Sequence, residues 1–143
     1  LMATICHALD IPYYGSGGYV KIKVGKNEYT LAVSHGCSGA KNSETELYKL
    51  KEIYSDADIF ILGHDHKLFA TPKVFMSVDK DDNEVAKVKW FCRGGSYLNH
   101  AEYAKKRLYS PLPTGSLLIK LSSAERSIKI DELMYLEGKL LKG

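Results

Sequence analysis

Polar and apolar residues alternate most cleanly near the start of the chain. Tyr19, Lys21 and Lys23 interleave with Val20, Ile22 and Val24, the period of a half-buried strand. Gly25-Lys26-Asn27 follows as a three-residue hairpin turn. A second strand then runs from Glu28 to Ser34 and ends at His35-Gly36. Ahead of this hairpin, Ala3, Ile5, Cys6 and Leu9 can share one helical face, and Pro12 stops that helix. Tyr13 to Gly18 is an aromatic-glycine loop.

Beyond a polar loop at Cys37 to Asn42, Ser43 and Glu46 have the spacing of a capping box, which satisfies free amide donors at a helix start. The helix is expected to reach about Ser55, with Leu47, Leu50, Ile53 and Tyr54 inward. A short apolar strand, Ala57 to Leu62, leads into Gly63-His64-Asp65-His66. Strand, crossover helix and strand imply a βαβ unit, hence a parallel pair. Thr71-Pro72 is then read as a break, and 74–78 with 85–92 as a hairpin around the acidic turn Asp79 to Asn83. That turn has part of a calcium-loop pattern but lacks its glycine and distal glutamate. A tight turn at 93–97, a short helix at 99–106, a loop at Pro111 and Pro113, and an antiparallel pair at 116–121 and 127–133 complete the chain. Internal repeats and low-complexity tracts are absent.

Composition narrows the class without naming a function. The 143 residues, 45% apolar and 26% charged, suit one globular domain. A net charge of +3 is too weak to argue for nucleic acid, and Lys105-Lys106-Arg107 reads as a solvated helix face. Cys6, Cys37 and Cys92 form neither a zinc-knuckle spacing nor an even disulfide set, so a cytoplasmic location is expected. No apolar run reaches the roughly 18–20 residues of a membrane span. The chain opens at Leu1 on the end of a helix, so an upstream part of the natural protein is expected.

Three histidines stand at strand ends: His35, His64 and His66. Any one alone reads as a hydrogen-bonded surface or core residue. The βαβ spacing brings His35 and His64 to one sheet edge, and imidazole is a common metal ligand near neutral pH. Together the three read as metal-binding. Other candidates are weaker. Lys41 and Asn42 could meet a phosphate, Arg93 with the Gly94-Gly95-Ser96 amides could form an anion nest, and Cys37 could join a metal. Each has an equal or better reading as loop, turn or packing. His100 and the set Tyr13, Tyr14, Tyr19, Tyr97 and Tyr109 read as packing or rim residues.

Val33-Ser34-His35-Gly36 followed by Gly63-His64-Asp65-His66 resembles the last two motifs of the calcineurin-like metallophosphoesterases. The resemblance runs from about Ile11 to Ile130. It implies a mixed α/β fold with few helices: the C-terminal half of a sandwich of two β-sheets flanked by helices. It implies hydrolysis of a phosphomonoester or phosphodiester by two divalent ions, manganese, iron or zinc. His35 and His64 would sit on one ion and His66 on its neighbour. Such a pair activates water and steadies attacking and leaving oxygens. The family's earlier D-x-H, G-D-x-x-D and G-N-H motifs are missing, and three neutral imidazoles cannot offset the repulsion of two close cations. The expectation is therefore one domain, residues 1–143, forming the C-terminal part of a larger phosphoesterase domain. Alone it is expected to be inactive and to hold at most one ion. Its expected partners are a phosphoester, which includes nucleotide or nucleic acid, and the N-terminal half of the same protein. A second copy of the chain is left open and a membrane is not expected. Two alternatives remain: a non-catalytic, histidine-bearing metal-binding or interaction module, and a mononuclear zinc enzyme with Asp65 as its nearest carboxylate.

Overall fold

The computed structural model describes residues 2–37, 43–98, 112–136 and 139–140. A short helix α1 (Met2–Ala8) precedes a hairpin of β1 (Gly17–Val24) and β2 (Asn27–Ser34). Helix α2 (Ser43–Ile53) crosses to β3 (Ile59–Leu62). A long hairpin of β4 (Leu68–Val78) and β5 (Glu84–Gly94) follows, then β6 (Thr114–Leu121), β7 (Ile128–Leu136) and the two-residue β8 (Lys139–Leu140).

The first five strands form one mixed sheet in the order β1-β2-β3-β5-β4, and the last three form a second, antiparallel sheet. β2, β3 and β5 run parallel, with Leu31 opposite Ile59 and Ile59 opposite Trp90. The expected βαβ unit is thus present. Its cause is visible in the burial: β3 and the Trp90-Phe91-Cys92 end of β5 are apolar on both faces, and each face is covered. On one face, Ala32, Phe60, Leu62 and Phe91 pack under Leu47 and Leu50 of α2. On the other, Tyr29, Leu31, Ile59 and Cys92 meet Leu117, Ile119 and Ile130 of the second sheet. The described layers are helix, mixed sheet, antiparallel sheet, close to the expected sandwich.

Three local expectations change. Val24 pairs directly with Asn27, so the first hairpin turns on two residues, Gly25 and Lys26. Gly25 supplies the positive φ, +60°, at the first central position. Ile53, the last residue of α2, is 71% exposed rather than inward, while Tyr54 beside it packs against the core. Thr71-Pro72 does not break the chain. β4 is an edge strand, and Ala70 N–H donates 2.7 Å to Glu132 Oε1 instead of to the ladder. Alternate residues direct their amides to opposite sides, so Pro72 lies on the same open side, where a missing N–H costs no ladder bond. The acidic turn stays an exposed turn: Asp79 Oδ1 accepts from the amides of Asn83 (3.0 Å) and Asp81 (2.8 Å), which holds its carboxyl below the usual range. The expected helix at 99–106, with His100 and the basic cluster 105–107, lies outside the described residues, as do Lys41, Asn42 and Tyr109.

Candidate functional site at the carboxyl ends of the parallel strands

β2 and β3 end level with each other, Ser34 opposite Leu62. The amide of Gly63 continues the pairing by donating to Ser34 O at 3.1 Å. Below His35, the Ser34 hydroxyl ties the turn down, donating to Ser16 O (3.0 Å) and accepting from the Gly36 amide (3.2 Å). His35 N–H also donates to Ser16 O, at 3.0 Å. The backbone therefore fixes where His35 leaves the sheet.

His64 leaves one residue later, at φ +71°. Its ring stands edge-on to that of His35, with centroids 4.9 Å apart. His35 Nε2 and His64 Nδ1 are 2.8 Å apart. Twenty-nine residues separate them in sequence, and the crossover closes that distance. At this spacing one nitrogen carries a proton and the other a lone pair. Two imidazole nitrogens sharing one divalent ion, each about 2.0–2.1 Å from it, would stand roughly 3.0–3.4 Å apart. A shift of a few tenths of an ångström would turn the hydrogen-bonded pair into a chelating one. Both histidines are exposed, so the pair borders solvent.

His66 takes φ +60° and is half-buried. Among the described residues no cluster of three or more His, Cys, Asp or Glu side chains has metal-binding geometry. The structure thus brings His35 and His64 together and does not bring His66 to them. Two donors fit a single ion completed by water or an anion; the described residues do not fit a dinuclear centre. Cys37 is exposed, its Sγ 3.9 Å from Glu46 Oε1.

The nearest carboxylates are engaged elsewhere. Arg93, 1% exposed, extends from the end of β5 beneath the histidine turn. Its Nη2 meets Glu46 Oε2 at 2.7 Å, its Nη1 donates to Gly63 O at 3.2 Å, and its Nε stands 3.6 Å from Asp65 Oδ2. Asp65 also accepts from the Lys67 amide at 3.3 Å. Arg93 is therefore a buried strut and not half of an anion nest. The amide of Gly95, another arm of that nest, donates to Lys67 O at 2.9 Å. The signal for such a strut lies in the strand itself: an arginine ending the apolar run Trp90-Phe91-Cys92 must find a carboxylate.

Of the tyrosines, Tyr19 packs edge-on against Tyr54, and Tyr97 shares a 2.8 Å hydrogen bond with Ser116. A cleft of about 900 Å³ opens at the other end of the parallel strands, lined by Lys51, Asp58, Lys89, Trp90 and Arg126 among others. Two of its cations are already bound: Lys89 Nζ to the carbonyls of Ser55 and Ala57, and Arg126 to Asp58 at 2.7 Å.

No protein-family model and no curated protein matches the chain. Among solved structures it is similar to Vps29 of Entamoeba histolytica. A double mutant of that protein aligns at 20% identity with a TM-score of 0.53, covering 86% of this chain and 57% of that one. A single mutant aligns at 20% identity and 0.51, covering 91% and 61%. The wild-type protein complexed with Zn2+ aligns at 19% identity and 0.46, covering 86% and 57%. This chain thus spans less than two thirds of the solved chains it matches. The likeness shows the fold, a mixed α/β arrangement with few helices, as expected from the sequence.

Proposed function

We propose that this chain supplies the histidine rim of a metal-dependent phosphoester hydrolase, His35 and His64 holding one divalent ion between them. The observation that carries the reading is the 2.8 Å approach of His35 Nε2 and His64 Nδ1 at the ends of adjacent parallel strands. Ligands commonly bind outside the carboxyl ends of such strands. His66 is assigned to a neighbouring ion of the complete centre. Its carboxylate ligands and leaving-group acid would come from the rest of a larger domain, of which residues 1–143 form the C-terminal part. The partial coverage of the similar solved chains supports that division.

The chemistry a bound divalent ion supplies is polarisation of a phosphoryl oxygen and acidification of a coordinated water. The residues of this chain do the holding. The Ser34–Ser16 contacts fix His35, and exposure of both rings leaves room for a phosphomonoester or phosphodiester. Glu46 and Asp65, held by Arg93, are not free to act as bases, so this chain alone should not turn over. Manganese, iron and zinc all suit imidazole.

Titration calorimetry with Zn2+, followed by assays with p-nitrophenyl phosphate and bis-p-nitrophenyl phosphate, tests the proposal. The chain should bind one Zn2+. His35→Ala and His64→Ala should each weaken it by two orders of magnitude or more, and His7→Ala should leave it unchanged. Equal losses in all three variants would misplace the site. Manganese-dependent turnover by this chain alone would overturn the division of labour.

A second reading is a non-catalytic metal-binding or interaction module. What favours it is the engagement of the nearest carboxylates by Arg93. The two readings part when the rest of the domain is supplied: restored hydrolysis supports the enzyme, and a silent, metal-loaded assembly supports the module.

A further inference from the structure

We infer that Arg93 is the positioning residue that sets the spacing of His35 and His64. A buried cation is expected to have partners; the informative feature is which partners Arg93 has. Nη1 donates to Gly63 O, the carbonyl immediately before His64. Nε faces Asp65 Oδ2, immediately after His64, at 3.6 Å. The same Nη1 stands 3.9 Å from where a Cβ on Gly36 would project, so it also lies beneath the turn that follows His35. Nη2 is anchored on Glu46 of α2 at 2.7 Å. One guanidinium therefore links both histidine turns to the crossover helix, from the third of the three parallel strands.

The conformation being held is uphill. His64 and His66 both take positive φ, which in a residue with a Cβ persists only where its surroundings over-determine it. The contacts to Gly63 and Asp65 bracket the first of these residues. The fork geometry of arginine matters, because three directions must be served at once from a planar group. A lysine ammonium is a compact point charge that can keep the Glu46 pair but cannot also span Gly63 O and Asp65.

The inference rests on the proposed shared ion for one readout only. Arg93→Lys and Glu46→Gln are compared with wild type by thermal unfolding, by Zn2+ titration, and by the nuclear Overhauser effect between the His35 and His64 rings. Lys73→Met, which removes the 2.8 Å pair between Lys73 of β4 and Glu44 of the same helix, controls for a general loosening of α2. Arg93→Lys should fold, lose the ring-to-ring effect and bind Zn2+ at least tenfold more weakly. Glu46→Gln should fall between it and wild type, and Lys73→Met should match wild type in both site readouts. A folded Arg93→Lys that keeps the ring-to-ring effect and full Zn2+ affinity overturns the inference. Should Arg93→Lys not fold, Glu46→Gln decides: an unchanged ring-to-ring effect there overturns it equally. If wild type binds no Zn2+, the shared ion fails and the ring-to-ring effect alone decides the role of Arg93.

Discussion

His64 and His66 adopt φ of +71° and +60°, which for a residue with a Cβ costs on the order of 1–2 kcal/mol. By residue type alone, Gly63 is the position in this stretch that would let the chain turn. In the structure Gly63 has no positive φ, and a Cβ there would meet only His35 at ordinary contact distance, 3.5 Å. The turn was legible and its hinge was not, because backbone strain is set by what holds the loop, and Arg93 lies thirty residues further along the chain. The pairing of His35 with His64 was legible because it needs only strand direction. Burial also changes single groups. Cys92 is wholly buried between the sheets, and burial, reinforced by the charge of Glu132, pushes its thiol from 9.0 up to about 12. An acid with a raised folded-state pKa stays protonated in the fold while the unfolded chain ionises, so stability falls as pH rises from about 9 toward 12. One pH unit within that window is worth about 1.4 kcal/mol. Urea unfolding at pH 8 and pH 10 should therefore show wild type losing about 1.4 kcal/mol more than Cys92→Val. Equal losses would mean that the thiol ionises in the folded protein as readily as in the unfolded chain.

Among the elements, alternation located β1, β6 and β7 well, since each buries one face. It failed on β4, where Pro72 resembles a stop. Edge position decided that case, and edge position depends on strand order, which local patterning does not contain. The second failure was at the exit of β5. There the chain makes a close junction between the two sheets: the Gly115 amide donates to Ser96 O at 2.7 Å. Gly95 beside it has φ +74°, and a Cβ there would fall 2.5 Å from Gly115 O. The sequence showed a glycine pair in a turn; only packing shows that the second glycine is required by a neighbouring strand. Gly95→Ala meets two costs at once, a left-handed backbone and a backbone clash. It should destabilise by about 3 kcal/mol or more, whereas Gly63→Ala should cost about 1 kcal/mol or less. Chemical denaturation of the two variants side by side checks the contrast, and equal effects would remove Gly95 from the junction.

At the scale of the whole molecule, the layered arrangement was legible through the motifs, while the seam between the two sheets was not. Besides apolar contacts, that seam is closed by a small polar stitch at one end. Tyr29, fully buried on β2, donates its hydroxyl to Ser122 O at 2.7 Å and accepts from the Ser127 amide at 3.1 Å. Those two residues bracket the β6–β7 turn. Asn27 adds a second donor to Ser122 O at 3.0 Å, and Arg126 in the same turn pairs with Asp58 ahead of β3. In the sequence Tyr29 is one apolar position of an alternating strand, and nothing local marks its hydroxyl as the point where the sheets meet. Tyr29→Phe keeps the ring and its packing but leaves the Ser127 amide without its acceptor. A hydrogen bond of this part-buried kind is worth about 0.5–1.5 kcal/mol. If the two sheets form one cooperative unit, that loss must appear equally in every probe. Trp90, the single tryptophan, sits on β5 of the first sheet, while far-ultraviolet circular dichroism reports both sheets. Both midpoints should coincide in wild type and move down together in Tyr29→Phe. A circular dichroism transition that moves while the Trp90 transition stays would show that the antiparallel sheet unfolds on its own. The helix-covered sheet that positions His35, His64 and Arg93 would then hold the site without it.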